Sequence, residues 1–183
     1  MQPSDSNQNP VDMQAPLTSF SQCHAGITAQ MAVLNELPAL VEAAHRAREV
    51  ARGTVALFEQ SVFAHHADEE RELFPAVLRS AADGEERQRV QQIIEQLVSE
   101  HRALEGLWKR LEPSVNAIAN GRLGEIDAGL AHHLSRGYLQ HARFEEDEFL
   151  PLAERILRRD GNHLAALGLS LHLRHAPLPV GYI

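Results

Sequence analysis

The chain has 183 residues, which is enough for one domain with a sizeable core. Its residues are 44% apolar but only 5% aromatic, and its formal net charge at pH 7 is −8. This acidic balance, without a lysine or arginine cluster, excludes a nucleic-acid-binding groove, and the single cysteine, Cys23, excludes an internal disulfide framework. No apolar run reaches membrane-spanning length, so we expect a soluble, cytoplasmic protein without a membrane segment.

A polar leader precedes the first predicted helix. Residues 1–18 are mostly Gln, Ser, Asn, Pro and Asp, a composition typical of disorder. Three candidate N-caps follow at Thr18, Ser19 and Ser21. The helix that they begin carries apolar residues and a histidine at helical spacing: His24, Ile27, Met31 and Leu34.

The second predicted helix is the longest helix-compatible stretch of the first half. Pro38 is expected to interrupt the first helix or to lie in the first turn of the second. Residues 40–74 are then almost continuously helix-compatible. One face of this helix carries Phe58, Val62, His65, Glu69 and Leu73. Pro75 is expected to kink or end the helix, and Asp83-Gly84 to close the unit.

Two further helices complete an all-α fold. The third, residues 85–119, places His101 in the middle of an apolar face and stops at Asn120-Gly121. The fourth, residues 126–159, carries Tyr138, His141 and Glu145 on its apolar face. Residues 161–183 are predicted to form a short helix and an extended apolar tail, which packs on its own bundle or joins a second copy or another protein.

An internal repeat links the second and fourth helices. Both contain His-x-x-x-Glu-Glu followed by an apolar pair and a proline ten residues after the histidine. Another histidine precedes each motif, His24 by forty-one residues and His101 by forty. Each half is therefore predicted to be a helix pair that buries its apolar face against the other half.

The repeat predicts a metal site. Residues four apart share a helical face, so each histidine and the first glutamate of its motif point the same way. The six predicted ligands are His24, His65, Glu69, His101, His141 and Glu145. Imidazoles and carboxylates without thiolates suit iron or manganese, and zinc less distinctively; Glu69 and Glu145 are placed to bridge two metals.

Several neighbouring residues have ordinary alternatives. His66 competes with His65, but the spacing to the proline selects His65 and leaves His66 and Glu70 partly exposed or in contact with the ligands. Glu105 is interpreted as a polar residue at the core edge. Tyr138 either donates a hydrogen bond into the site or only packs there. No function is assigned to the histidines without partners at ligand spacing: His132, His133, His163, His172 and His175.

The complete pattern resembles the hemerythrin-like, or HHE cation-binding, family over about residues 20–160. It consists of His24, His65-x-x-x-Glu69-Glu-x-x-Leu-Phe-Pro, Glu-His101-Arg, and His141-x-x-x-Glu145-Glu-x-x-x-Leu-Pro. The resemblance implies an up-down four-helix bundle over residues 19–160, with two non-haem iron ions joined by oxo or hydroxo groups and by Glu69 and Glu145. A ferritin-like site, which requires Glu-x-x-His twice, is set aside because only Glu42 and His45 match.

Three functions are compatible with this pattern. The first is binding or sensing of a small ligand, such as dioxygen, nitric oxide or peroxide, at an open di-iron site. The second is a di-iron enzyme that reduces or dismutates peroxide or nitric oxide, or donates iron for the repair of damaged iron centres. The third is a structural bundle whose histidines are core residues or bind zinc passively. We rank the first above the second, and both above the third.

Overall fold

A computed structural model describes residues 15–122 and 124–159, and all of the regular elements in those ranges are helical. The predicted all-α class is therefore confirmed. The protein divides into two compact units, Met1–Arg46 and Ala47–Ile183, with the division inside the second helix. The predictions for the C-terminal tail and for most of the leader lie outside the described residues. None of the described helices combines the length and the apolar character needed to cross a membrane.

The first unit contains α1 (Ala15–Leu34) and the start of α2 (Leu37–Leu57). The predicted N-caps are wrong, because α1 begins at Ala15 and all three candidates lie inside it, as do residues 15–18 of the expected leader. Pro38 is the second residue of α2, as expected of a first-turn proline. The apolar stripe of α1 is exposed in this structure: Ile27, Met31 and Leu34 retain 50%, 59% and 56% of their accessible surface.

The second helical run contains two π-helical segments. After α2 the chain forms π1 (Phe58–Val62), α3 (Phe63–Asp68), π2 (Glu69–Leu73) and α4 (Phe74–Ser80). In each π segment the backbone N–H of the following residue bonds five residues back, as from Phe74 to Glu69. Pro75 does not end the helix; it lies in the first turn of α4, directly after π2.

The remaining helical runs match the predicted third and fourth helices closely. The third helix is α5 (Glu85–Ala119), and it lies between two glycines with positive φ, Gly84 at 96° and Gly121 at 74°. The fourth consists of α6 (Ala128–Phe144), π3 (Glu145–Phe149) and α7 (Leu150–Leu157). Its N-cap is Asp127, whose side chain accepts a hydrogen bond of 2.9 Å from the backbone N–H of Leu130.

The core of the second unit consists of two apolar clusters. One contains Phe74, Val77, Leu97, Phe149 and Ile156, with other residues of α4, α5 and α7. The other contains residues of α2, π1, α5 and α6: Ala51, Phe58, Val62, Leu104, Trp108, Leu111, Val115, Ala119 and Leu134. His101 lies on α5 between Leu97 of the first cluster and Leu104 of the second. The histidine-rich segments are therefore held between two packed layers.

Candidate metal centre

Three buried imidazoles converge at the centre of the second unit. His66 of α3, His101 of α5 and His141 of α6 expose 1%, 0% and 3% of their surface. Each offers a ring nitrogen within 4.8 Å of the others, an arrangement that suits one metal ion. The rings of His66 and His101 stack with centroids 3.9 Å apart, and that of His141 stands edge-on to both.

A second group lies beside the first and contains His65, Glu69 and Glu145. The two glutamates are buried, and His65 keeps 38% of its side-chain surface. Nε2 of His65 lies 3.2 Å from Oε1 of Glu69, while Oε2 of the same carboxylate lies 3.4 Å from Nε2 of His101. Glu69 therefore directs one oxygen toward each group.

The π segments place these carboxylates. Glu69 is the first residue of π2 and Glu145 the first residue of π3, and both segments end just before the Phe-Pro or Leu-Pro pair of the repeat. In an α-helix, a proline ring clashes with the carbonyl four residues before it, and a wider turn relieves that clash. The proline of each repeat is therefore compatible with the wider turn that precedes it.

Each buried imidazole is oriented by a carboxylate on its outer side. Nδ1 of His66 lies 3.2 Å from Oε1 of Glu105, and Nδ1 of His101 lies 2.8 Å from Oε1 of Glu70. Nδ1 of His141 lies 3.0 Å from Oε2 of Glu100. A carboxylate only accepts hydrogen bonds, so the Nδ1–H of each ring donates and Nε2 keeps its lone pair for a metal.

Five polar atoms that point into this space form no hydrogen bond within the described part of the chain. They are Nε2 of His66, His101 and His141, Oε2 of Glu69 and Oε1 of Glu145. Leaving one buried polar group unsatisfied costs about 1–3 kcal/mol, and several at one place require an explanation. A bound cation satisfies nitrogen lone pairs and carboxylate oxygens together, so the donor set fits a metal centre.

The acid–base properties of the site agree with this interpretation. Burial, followed by the nearby rings of His101 and His141, lowers the pKa of His66 to about 3. This imidazole is therefore neutral, as a ligand must be. Burial raises the pKa of Glu69 to about 7, and burial together with Glu69 raises that of Glu145 to about 8. Two buried carboxyl groups side by side are costly to ionise until a cation neutralises them.

Glu70, the carboxylate that accepts from His101, has a lowered pKa. Burial alone would raise the pKa of Glu70, but hydrogen bonds from His101 and Arg102 lower it below its ordinary value. Glu70 is thus ionised near neutral pH and can only accept. Burial also raises the pKa of Tyr138, whose ring lies with its centroid 6.0 Å from that of His141.

Five of the six predicted ligands lie in the two groups: His65, Glu69, His101, His141 and Glu145. The sixth, His24, lies on α1 in the first unit with an exposed side chain, where its ring packs edge-on against Phe20. Its role as a ligand stays a prediction. Of the two expectations for His66, partial exposure is wrong, since it is buried, and contact with the predicted ligands is confirmed, since its ring stacks on that of His101. The signal that could have identified it was its own His-x-x-x-Glu spacing to Glu70, which chance also produces.

Comparisons with known proteins agree with the sequence pattern. The family model of the hemerythrin HHE cation-binding domain matches residues 15–153. An uncharacterized protein of Haemophilus influenzae is 25% identical over 158 residues, which cover 82% of this chain and 88% of the relative. No solved structure matches the chain.

Proposed function

From the premise that this chain belongs to the hemerythrin HHE cation-binding domain family, we propose that it holds two iron ions and binds or senses a small ligand there. The observation that supports this most directly is the set of five buried ligand atoms that form no hydrogen bond within the described residues. A core of structural histidines does not account for them, because structural polar groups are hydrogen-bonded when buried.

The two metals have unequal ligand sets in this proposal. His66, His101 and His141 would hold one metal and His65 the other, with the carboxylates of Glu69 and Glu145 available to both. The group of three imidazoles would leave its metal few open positions, whereas the group with His65 offers one imidazole and would leave more. Iron at an open position supplies reversible binding or redox chemistry toward dioxygen, nitric oxide or peroxide. We therefore place the small ligand beside His65.

The protein contributes orientation and exclusion of water. The carboxylates on the outer side fix each imidazole with Nε2 inward, and the two apolar clusters on either side keep the centre in a low-dielectric environment. Glu69 and Glu145 give up their protons when the metals bind, so their charge is neutralised where it would otherwise be costly.

We also propose that the chain forms an up-down four-helix bundle in which His24 is a further metal ligand. Two separate observations support this. His24 precedes His65 by forty-one residues, as His101 precedes His141 by forty. The family model matches residues 15–153, a range that includes His24.

The first test is the metal content of protein purified in air, with the absorption spectrum recorded before and after anaerobic reduction. We expect about two irons per chain and near-ultraviolet bands that reduction removes. Returning dioxygen, nitric oxide or peroxide to the reduced protein then separates reversible binding from turnover. Colourless protein with stoichiometric zinc would contradict the proposal. The variants Glu69→Ala and Glu145→Ala should lose iron, and Glu59→Ala, at an exposed position of π1, should retain it.

A further inference from the structure

Two of the outer carboxylates belong to a crossed arrangement between α5 and the α3–π2 segment. Glu70 follows His66 by four residues, and Glu105 follows His101 by four. Each glutamate nevertheless accepts from the histidine of the other segment: His66 donates to Glu105, and His101 donates to Glu70. The two His-x-x-x-Glu pairs are therefore joined by two hydrogen bonds between the helices.

Arg102 joins the two halves of this arrangement. Its Nη2 pairs with Oε2 of Glu70, and its Nη1 lies 3.4 Å from Oε1 of Glu105. The guanidinium presents several N–H groups in a rigid plane, so it can hold two carboxylates at fixed positions. Arg102 lies next to His101 in the sequence, but its own side chain is 56% exposed and outside both ligand groups.

A small polar cavity marks the same place. Its volume is about 160 Å³, and its lining includes His66, Glu70, Arg71, Arg102 and Glu105. Without the arginine, the two carboxylates would face each other and solvent across this cavity. The two negative carboxylates would then repel each other and move apart. The hydrogen bond from each histidine to its carboxylate would become less well ordered.

We propose that Arg102 is a positioning residue that holds Glu70 and Glu105 in place and thereby keeps Nε2 of His101 and His66 directed at the metal. This inference rests on the proposed metal site but adds a residue whose two carboxylate partners, Glu70 and Glu105, belong to neither ligand group. Its consequence is kinetic as well as thermodynamic: the bound metal leaves more slowly because both imidazoles must lose their outer partners before they can rotate away.

The test compares Arg102→Gln with Arg89→Gln in the full-length protein. Arg89 is a matched control, because it also lies on α5, is 54% exposed and pairs across helices with Glu148 at 2.7 Å. Protein loaded with Co²⁺ is mixed with excess chelator, and the loss of the cobalt absorption is followed. We expect Arg102→Gln to release Co²⁺ up to about 10-fold faster than wild type. Arg89→Gln should leave the rate unchanged, and Arg102→Lys should give an intermediate rate because it holds one carboxylate at a time.

A second measurement does not depend on metal. In the metal-free protein, ¹H–¹⁵N spectra of the imidazoles report whether each Nδ1–H is hydrogen-bonded. Arg102→Gln should weaken these signals for His66 and His101 but not for His141, whose acceptor is Glu100. Equal cobalt release from the two arginine variants, or equal changes at all three histidines, would overturn the inference. Failure of wild type to bind cobalt or iron would instead overturn the proposed function, and the imidazole spectra would still decide the role of Arg102.

Discussion

A carboxylate oxygen of Glu69 lies within 4.8 Å of one from Glu145, although seventy-six residues separate them in the chain. Each is the first residue of a π segment, and each is buried. The internal repeat thus brings two equivalent carboxylates face to face. The pair has a proton-linked consequence, because two adjacent buried carboxyl groups resist ionisation together.

The stability of the metal-free protein should fall as the pH rises from about 5 to about 8. Burial raises the pKa values of Glu69 and Glu145 to about 7 and about 8 from an ordinary 4.5, so the folded protein retains protons that the unfolded chain has released. Stability is therefore lost between the unfolded and folded pKa values. His66 acts in the opposite direction below about pH 6.5, where the unfolded chain takes up a proton and the buried ring does not.

Thermal unfolding of metal-free protein across this pH range measures the effect. The double variant Glu69→Gln/Glu145→Gln should lose the decline between pH 5 and 8, while Glu59→Gln should keep it. Metal binding should release protons in the same range, so apparent affinity should rise with pH up to about 8. A flat or rising stability for the wild-type protein between pH 5 and 8 would contradict this account.

His66→Gln should reduce the amount of bound metal per chain more than His133→Gln does. His66 is one of three buried imidazoles, whereas His133 is exposed on α6. Removal of one ligand from the imidazole set should reduce bound metal by about half, because the other set remains. Metal analysis after gel filtration provides the measurement. His65→Gln should lower the metal content too, but at the other position, with a different change in absorption. If His66→Gln kept its full metal content, His66 would not be a ligand, and only His65 of the two neighbouring histidines would be.

The sequence predicts the helices and the ligand types better than it predicts their orientation. The third helix has the predicted bounds, and five predicted ligands lie together, because apolar spacing and repeated motifs are local signals. The choice of His65 depends on its spacing to Pro75, and the place given to His66 depends on a regular helix with about 100° between neighbours. The structure has π segments on both sides of α3. The extra residue in each π turn changes the direction in which the following side chains point, and both histidines lie in the candidate groups.

The three outer carboxylates were also difficult to predict. Glu105 was interpreted as a residue of the core edge, and Glu100 was noted only as part of Glu-His-Arg. Both accept from histidines of other helices, His66 and His141. Such pairs depend on how helices pack, and the helical period of each segment does not show which residues of two helices meet.

Glu100→Gln should weaken metal binding by about 10- to 100-fold without preventing folding. Glu100 is partly exposed and accepts from Nδ1 of His141 at 3.0 Å. An amide in its place is a poorer acceptor and can present its NH₂ group, which disfavours the Nδ1–H form of the ring. Glu95→Gln, at an exposed position of the same helix, is the matched control. Competition with a chelator of known affinity measures the difference, and equal affinities of the two variants would show that Glu100 does not orient His141.

Replacement of both repeat prolines should weaken metal binding, although neither proline is a predicted ligand. Pro75 and Pro151 lie just after π2 and π3, and neither is among the ligand groups. Alanine at these positions restores an N–H and removes the ring that clashes with the carbonyl four residues earlier, so a regular α-helix becomes available. That change would rotate Glu69 and Glu145 relative to the histidines before them. We expect Pro75→Ala/Pro151→Ala to unfold at an equal or higher temperature without metal, but to bind Co²⁺ less tightly and with an altered spectrum. Pro113→Ala, inside α5, is the control for loss of a proline in a helix. If the double variant binds cobalt as wild type does, the π segments are maintained by packing and the prolines do not determine the geometry of the centre.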